Sequence, residues 1–269
     1  MPNWVTAKLT IEGTNSTEIM KSLLTPNEEN EFEFDFNKII EMPKELEIEK
    51  GSFTNKCVNL YLTALNPKHE HVGMHMKSQK EYDEVFRLLA DNRLISKYDP
   101  VKESELEELI KHADEKFKTV ESQISHGKHA VDNLRKHGFM DWYDWSIENW
   151  GTKWNACNNI YLEEHPNEIC FDTAWGNVSD LIAKLSEMYP ENKFTYEFAD
   201  EDTAFQTGNL TFQKGEIIAG CHFPDQSKEA YEQYFKLWGE ELAEDFKFDE
   251  DKQTYIYKDE DENDSDEEM

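Results

Sequence analysis

The chain opens on an alternating stretch. Val5, Ala7, Leu9 and Ile11 are apolar, and Thr6, Lys8 and Thr10 between them are polar. A period of two puts the apolar side chains on one face, which predicts a half-buried strand. Gly13 breaks the pattern. Ser16 or Thr17 can cap a short helix that carries Ile19, Leu23 and Leu24 and stops before Pro26. Phe32, Phe34 and Phe36 alternate with Glu33 and Asp35, which predicts a second strand, and Pro43 ends the short apolar stretch that follows. Residues 53–77 do not decide between periods: Val58, Leu60 and Leu62 fit a strand, and the His-rich part after Pro67 reads as loop.

Helical signals then take over. Ser78 and Glu81 form a capping box, followed by Tyr82, Val85, Phe86 and Leu89 at helical spacing. Asp99 and Pro100 suit the N-cap and first position of a long helix. Its stripe runs through Leu106, Leu109, Ile110, Ala113, Phe117, Val120 and Ile124, with a kink expected at Gly127 and a stop at Gly138. Trp142 and Trp145 lie one turn apart on a short element ended by Gly151. Two strands are expected around 153–162 and 168–175, with a turn near Pro166-Asn167. A helix with Val178, Leu181, Ile182, Leu185 and Met188 follows, then strands through Phe194, Tyr196 and Phe198 and through Leu210 and Phe212. Lys214-Gly215 reads as a hairpin turn into Ile217 and Ile218. The last amphipathic helix carries Tyr231, Tyr234, Phe235 and Trp238. Phe246, Phe248, Tyr255 and Tyr257 fit a hairpin or an edge strand.

If the helical block is an insertion, the remaining order is that of an α+β protein with a ferredoxin-like antiparallel sheet. The expected division is 1–77 as the first part of the α+β domain, 78–138 as the inserted helices, 139–243 as the ferredoxin-like part and 244–269 as an acidic tail. After Lys258 the run is too charged to bury anything and is expected to be disordered.

Several strings carry a resemblance. They are Met1-Pro2-Asn3-Trp4 before the first strand, Phe36-Asn37-Lys38-Ile39-Ile40 with Met42-Pro43 and Leu46, and Trp142-Tyr143-Asp144-Trp145 through Asn149-Trp150-Gly151-Thr152-Lys153-Trp154-Asn155-Ala156. Phe171-Asp172-Thr173-Ala174-Trp175, Leu185-Ser186 and Tyr189-Pro190 extend it, and Gly176-Asn177 stands where the family usually has a further Pro. The chain resembles the Api92-like proteins of phages and plasmids, with their YubB-type (DUF1281) ferredoxin-like domain. The resemblance implies a mobile-element origin and makes an anti-defence role an expectation. It brings no established catalytic residues.

Composition adds one strong constraint. The formal net charge is −30, and because residues 244–269 hold 13 acids against 3 lysines, residues 1–243 keep −20. Such a chain repels nucleic-acid phosphates and anionic membrane surfaces and is steered towards basic proteins. Four widely spaced cysteines, no signal-like N-terminus and no run of apolar residues long enough for a membrane span lead to the expectation of a soluble cytoplasmic protein with free thiols.

Candidate chemistry is thin. Trp142, Trp145, Trp150 and Trp154 read as core, with Lys153 stacking on a ring for structural reasons. His69, His71 and His75 lack zinc-site spacing. Asp259, Asp261 and Asn263 lack the glycine and terminal Glu of a calcium loop. Cys221 and His222, adjacent in a strand, point to opposite faces. Nucleophile and phosphate-loop motifs are absent from the sequence. The expectation is therefore a non-catalytic binding protein without cofactor or metal. Its partner would be a basic host protein, a nuclease or CRISPR-type effector, bound by mimicry of a phosphate backbone, in which duplex DNA spaces charges about 1.7 Å apart along its axis. The contact residues expected are Glu103, Glu105, Glu107, Glu108, Asp114 and Glu115 on the long helix. The alternatives are a regulatory or replication-accessory binding protein, and an enzyme or sponge for a small nucleotide.

Overall fold

The computed structural model describes residues 3–26, 32–65, 102–104, 106–107 and 118–258. The chain divides into two compact units, one made of residues 1–41 and 146–269 and the other of 42–145. The helical insertion expected at 78–138 is thus part of a larger segment that begins at 42.

The first unit is built on β1 (Trp4–Glu12), whose buried and part-exposed positions alternate as its sequence requires. Val5, Ala7, Leu9 and Ile11 are fully buried. The helix α1 (Ser16–Ser22) follows, but its cap is Asn15 in the left-handed region (φ 58°), without a side-chain cap from Ser16 or Thr17. Asn tolerates that backbone better than most side chains. Next come the short strands β2 (Leu24–Pro26) and β3 (Phe32–Phe34), paired antiparallel. Phe36 does not prolong β3. Asp35 turns the chain by accepting the Asn37 N–H, and a 3₁₀ turn spans Phe36–Lys38.

The unit resumes after the end of α4 (Trp142–Trp150) with β4 (Cys157–Ile160), β5 (Glu168–Ala174), the helix α5 (Ser179–Met188), β6 (Lys193–Asp200), β7 (Gly208–Gln213) and β8 (Glu216–His222). Among the described residues these strands and β1 form one sheet in the order β4-β5-β1-β6-β7-β8. β1 lies antiparallel between β5 and β6, with Ala7 level with both Phe171 and Phe198. Strand β1, helix α1 and β4, then β5, α5 and β6, reproduce the split βαβ order of a ferredoxin-like sheet, and the hairpin β7–β8 widens it. Lys214 and Gly215 both take positive φ (55° and 83°), which is the two-residue hairpin turn expected from the sequence.

The face of the sheet under α1 and α5 holds an aromatic core. Phe34 meets Phe171 edge-on at 5.0 Å, Phe36 meets Trp150 at 5.9 Å, and Tyr196 stacks on Phe198 at 5.2 Å. The Tyr196 hydroxyl accepts the Val178 N–H at 3.1 Å and fixes the start of α5. On the opposite face, Ala199 and Glu197 of β6 lie beneath α6 (Lys228–Trp238). Trp238 Nε1 donates to the Ala199 carbonyl at 3.1 Å. The hairpin β9 (Phe246–Asp249) with β10 (Thr254–Tyr257) packs its Phe246 and Tyr255 on Tyr231 and Phe235 of α6. The folded unit therefore runs on through Lys258, beyond the boundary expected at 244.

In the second unit, residues 52–65 are helix, α2 (Ser52–Leu65), and not strand. Thr54, Cys57, Val58, Tyr61 and Ala64 are buried at helical spacing. The alternation of Val58, Leu60 and Leu62 is incidental to a largely apolar run in which Asn59 and Thr63 are buried as well. Helix α3 (Lys118–His137) passes through Gly127 without a break. That glycine serves close packing: a Cβ there would stand 2.0 Å from the Cys57 carbonyl oxygen. Gly138, at φ 82°, ends the helix as expected, its N–H donating to the Leu134 carbonyl at 3.0 Å. Leu106 and Ile124 join a core with Val58, Tyr61, Ala64 and Val131. The other expected stripe positions from Leu109 to Phe117, and the helix expected from Ser78, lie outside the described residues.

Candidate binding face

The helix-free part of the sheet's second face is polar and tightly bonded. It is lined by the alternate residues of β1, which are Trp4, Thr6, Lys8 and Thr10. Thr6 donates to Asp172 at 2.7 Å, and Asn158 donates to the same carboxylate at 2.7 Å. Lys8 Nζ lies 2.7 Å from Glu168, whose hydrogen bond raises the lysine's pKa against the opposing effect of burial. Asn209 and Lys236 both donate to Glu197. Cys170 sits level with Lys8, and burial pushes its thiol up, so it stays protonated. Ile160 and Leu162 form the exposed lip of a hollow of about 420 Å³ above Lys8, His165 and Glu168.

One corner of this face is aromatic. Trp4 lies 6.0 Å from Trp154. Lys153 Nζ sits 4.2 Å from the Trp154 ring centroid and 4.7 Å from that of Trp175, so one ammonium group contacts two indoles. The backbone is built to hold this arrangement. Gly151 ends α4 at φ 80°. Thr152 then donates to the Ala174 carbonyl at 2.9 Å and accepts the Ala174 N–H at 3.0 Å, which ties the loop to the end of β5. Trp175 follows at φ 70°, its N–H donating to the Asn3 carbonyl at 2.8 Å. Gly176 is required next, because a Cβ would meet the Gly151 carbonyl at 2.9 Å. Asn177 accepts from the N–H and hydroxyl of Ser179 at the opening of α5.

Trp175 is 45% exposed. Acids rim the corner: the Glu201 N–H donates to the Trp4 carbonyl, and Asp202 accepts from Asn3 at 3.1 Å. Of the four tryptophans expected in the core, Trp145 and Trp150 are buried, and Trp142 and Trp154 are half-buried. The sequence pattern places Trp175 only at the end of a strand. The Trp175-Gly176 pair marks a break in the strand but not the exposure of the ring.

The acidic positions picked from sequence divide. Glu103 and Glu107 share one helical segment in the second unit. Glu103 accepts from the Tyr61 hydroxyl and lies 3.4 Å from Arg135 and 3.6 Å from Lys128, while Glu107 lies 3.5 Å from Lys128. The Tyr61 hydrogen bond holds the Glu103 carboxyl below its ordinary pKa. With Asp132, three carboxylates meet two cations there. Glu105, Glu108, Asp114 and Glu115 lie outside the described residues, as do His69, His71 and His75. Among the described residues no cluster of His, Cys, Asp and Glu has the makings of a metal site. Cys221 pairs with Asn209 on the open face, and His222 meets Phe198 on the other. No described helix is long and apolar enough to cross a membrane.

The family model described as a ferredoxin-like domain in Api92-like protein matches residues 149–268. Among solved structures, the crystal structure of protein api92 from Yersinia pseudotuberculosis, of the DUF1281 family, is similar over 83% of this chain and 99% of its own, at 11% identity and a TM-score of 0.36. No curated protein sequence matches the chain. With β1 and α1 completing its sheet order, the segment 149–268 is a ferredoxin-like domain of the Api92-like family.

Proposed function

We propose that this protein is a non-catalytic accessory protein of a phage or plasmid that binds a basic host protein, a nucleic-acid-handling defence factor, and blocks it. The acidity of residues 1–243 brings the partner in, since −20 remains without the last 26 residues. The aromatic corner gives the encounter a fixed anchor. The observation that carries this reading is Lys153 held between Trp154 and Trp175. The corner already accepts an ammonium group, and Trp175 there is 45% exposed, the chemistry a cationic side chain of a partner would meet. Tryptophan and arginine dominate the binding energy of protein interfaces, and acids at the rim steer more than they hold.

Glu103 and Glu107 contribute to the steering field. Exposed ion pairs of the kind they make with Lys128 and Arg135 are worth about 0–1 kcal/mol, so they can exchange for a partner's bases.

The test is co-purification from a host lysate at low and high salt. The expected result is a basic nuclease or RNA-guided effector, captured at low salt and released as salt rises. Trp175→Ala weakens capture by roughly 30-fold or more, the scale of a hot-spot residue. Lysine at Glu103, Glu105, Glu107 and Glu108 together slows association. Capture indifferent to salt and to Trp175 defeats the reading, as does turnover of any nucleotide by the purified protein.

A further inference from the structure

The two edges of the sheet are treated differently. At the β4 edge, Asn155 accepts the Phe36 N–H at 2.8 Å and Asn159 accepts the Phe34 N–H at 3.1 Å, so a neighbouring segment closes it. At the other edge, all seven residues of β8 are exposed. Ile217 is 52% and Ile218 47% exposed, and among the described residues nothing pairs with the outer side of the strand. A free apolar edge is a template for another strand, and proteins normally blunt it with charge, proline or a bulge, of which β8 has a bulge at Ile218. Here Glu216 is the sole acid and Lys214 the sole base from Thr203 to Pro224, in a chain of net −30.

We propose that β8 is a dimer interface, joined antiparallel to β8 of a second copy about a two-fold axis near Ala219. Free N–H and C=O groups along a strand call for a strand and not a helix. The charge pattern selects which strand. Two like-charged copies repel over most of their surface and approach at least cost where the surface is neutral. A basic partner has no reason to prefer that place. The strand is also self-complementary under the two-fold operation, since Glu216 comes opposite His222 and the small Ala219 lies at the axis. The extra residue of the β7–β8 bulge falls at Ile218, while Ile217 lies level with Phe212 on the helical face.

The inference is independent of the proposed function and has the opposite salt signature. Light scattering on the full chain, across concentration and from 50 to 500 mM salt (illustrative settings about one Debye regime apart), is expected to show a two-chain mass that grows with salt. Ile217→Lys with Ile218→Lys changes two exposed side chains and leaves the fold's circular dichroism unaltered. It is expected to weaken dimerisation at least about tenfold and to restore the single-chain mass. Hydrogen exchange at 216–222 is expected to slow on dimerisation in the wild type and not in the variant. A single-chain mass under every condition overturns the proposal, including the case in which those amides are protected in the monomer, for then another part of the chain covers the strand. A dimer that survives both lysines overturns it too, since the interface then lies elsewhere.

Discussion

A tryptophan at φ 70° stands in a region that bulky side chains avoid at a cost of about 1–3 kcal/mol. The Thr152–Ala174 hydrogen bonds and the Asn3 carbonyl hold it there, and the stacked Lys153 returns part of the cost. Trp175→Gly removes the strain and the ring together. We expect its unfolding free energy to stay within about 1 kcal/mol of the wild type, because glycine occupies positive φ freely. Partner capture is expected to fall as far as with alanine. Denaturant unfolding beside the capture assay separates the two effects. Nothing in the sequence marks this residue as a surface one. Its exposure depends on where the 152–155 loop lands, and two hydrogen bonds to a strand end set that.

Elements were legible where a period was long and clean. β1, α5, β6 and α6 fall where their patterns place them, because each buries one continuous stripe. The pattern failed in α2, where an apolar run carries no dominant period over nine residues. It also failed at Gly127, because a helical glycine reads alike whether it bends the helix or admits a neighbour. The Cys57 carbonyl decides the matter. Gly127→Ala therefore forces α2 and α3 apart, and we expect a loss of about 2–3 kcal/mol in thermal or denaturant unfolding. At the closed edge of the sheet, burial works against the charge on Asp35, but donors from Asn37, Asn155 and Thr25 outweigh it and hold the carboxyl below the ordinary range. Its stabilising contribution is complete above about pH 4 and disappears as the pH falls through its folded value. Thr25→Val, which removes one donor, is expected to cost about 1 kcal/mol at pH 7 and progressively less below pH 4. An NMR titration of Asp35 should show its midpoint rise.

On the scale of the molecule, the dominant fact is charge. A net −30 strains the folded state by self-repulsion, so added salt is expected to raise the melting temperature even as it loosens a basic partner. A scan at 50 and 500 mM salt (nominal values spanning strong and weak screening) checks this, and an unchanged melting point would mean that local pairs such as Lys128 with Glu103, Glu107 and Asp132 already balance the field. The ferredoxin-like order was legible because its strands and helices alternate in sequence as the topology demands. The polar face and its aromatic corner were not, since they arise from residues 150 positions apart brought level by register.

That register also governs how the chain is made. Trp4 pairs with Ala174, and Val5 with Asp200, so β1 finds its first neighbour about 170 residues further along the chain and its second almost two hundred. Contacts of such long range close slowly. During synthesis β1 waits as a half-apolar ribbon while residues 42–145 emerge, which makes it a segment that gains from a chaperone's cover.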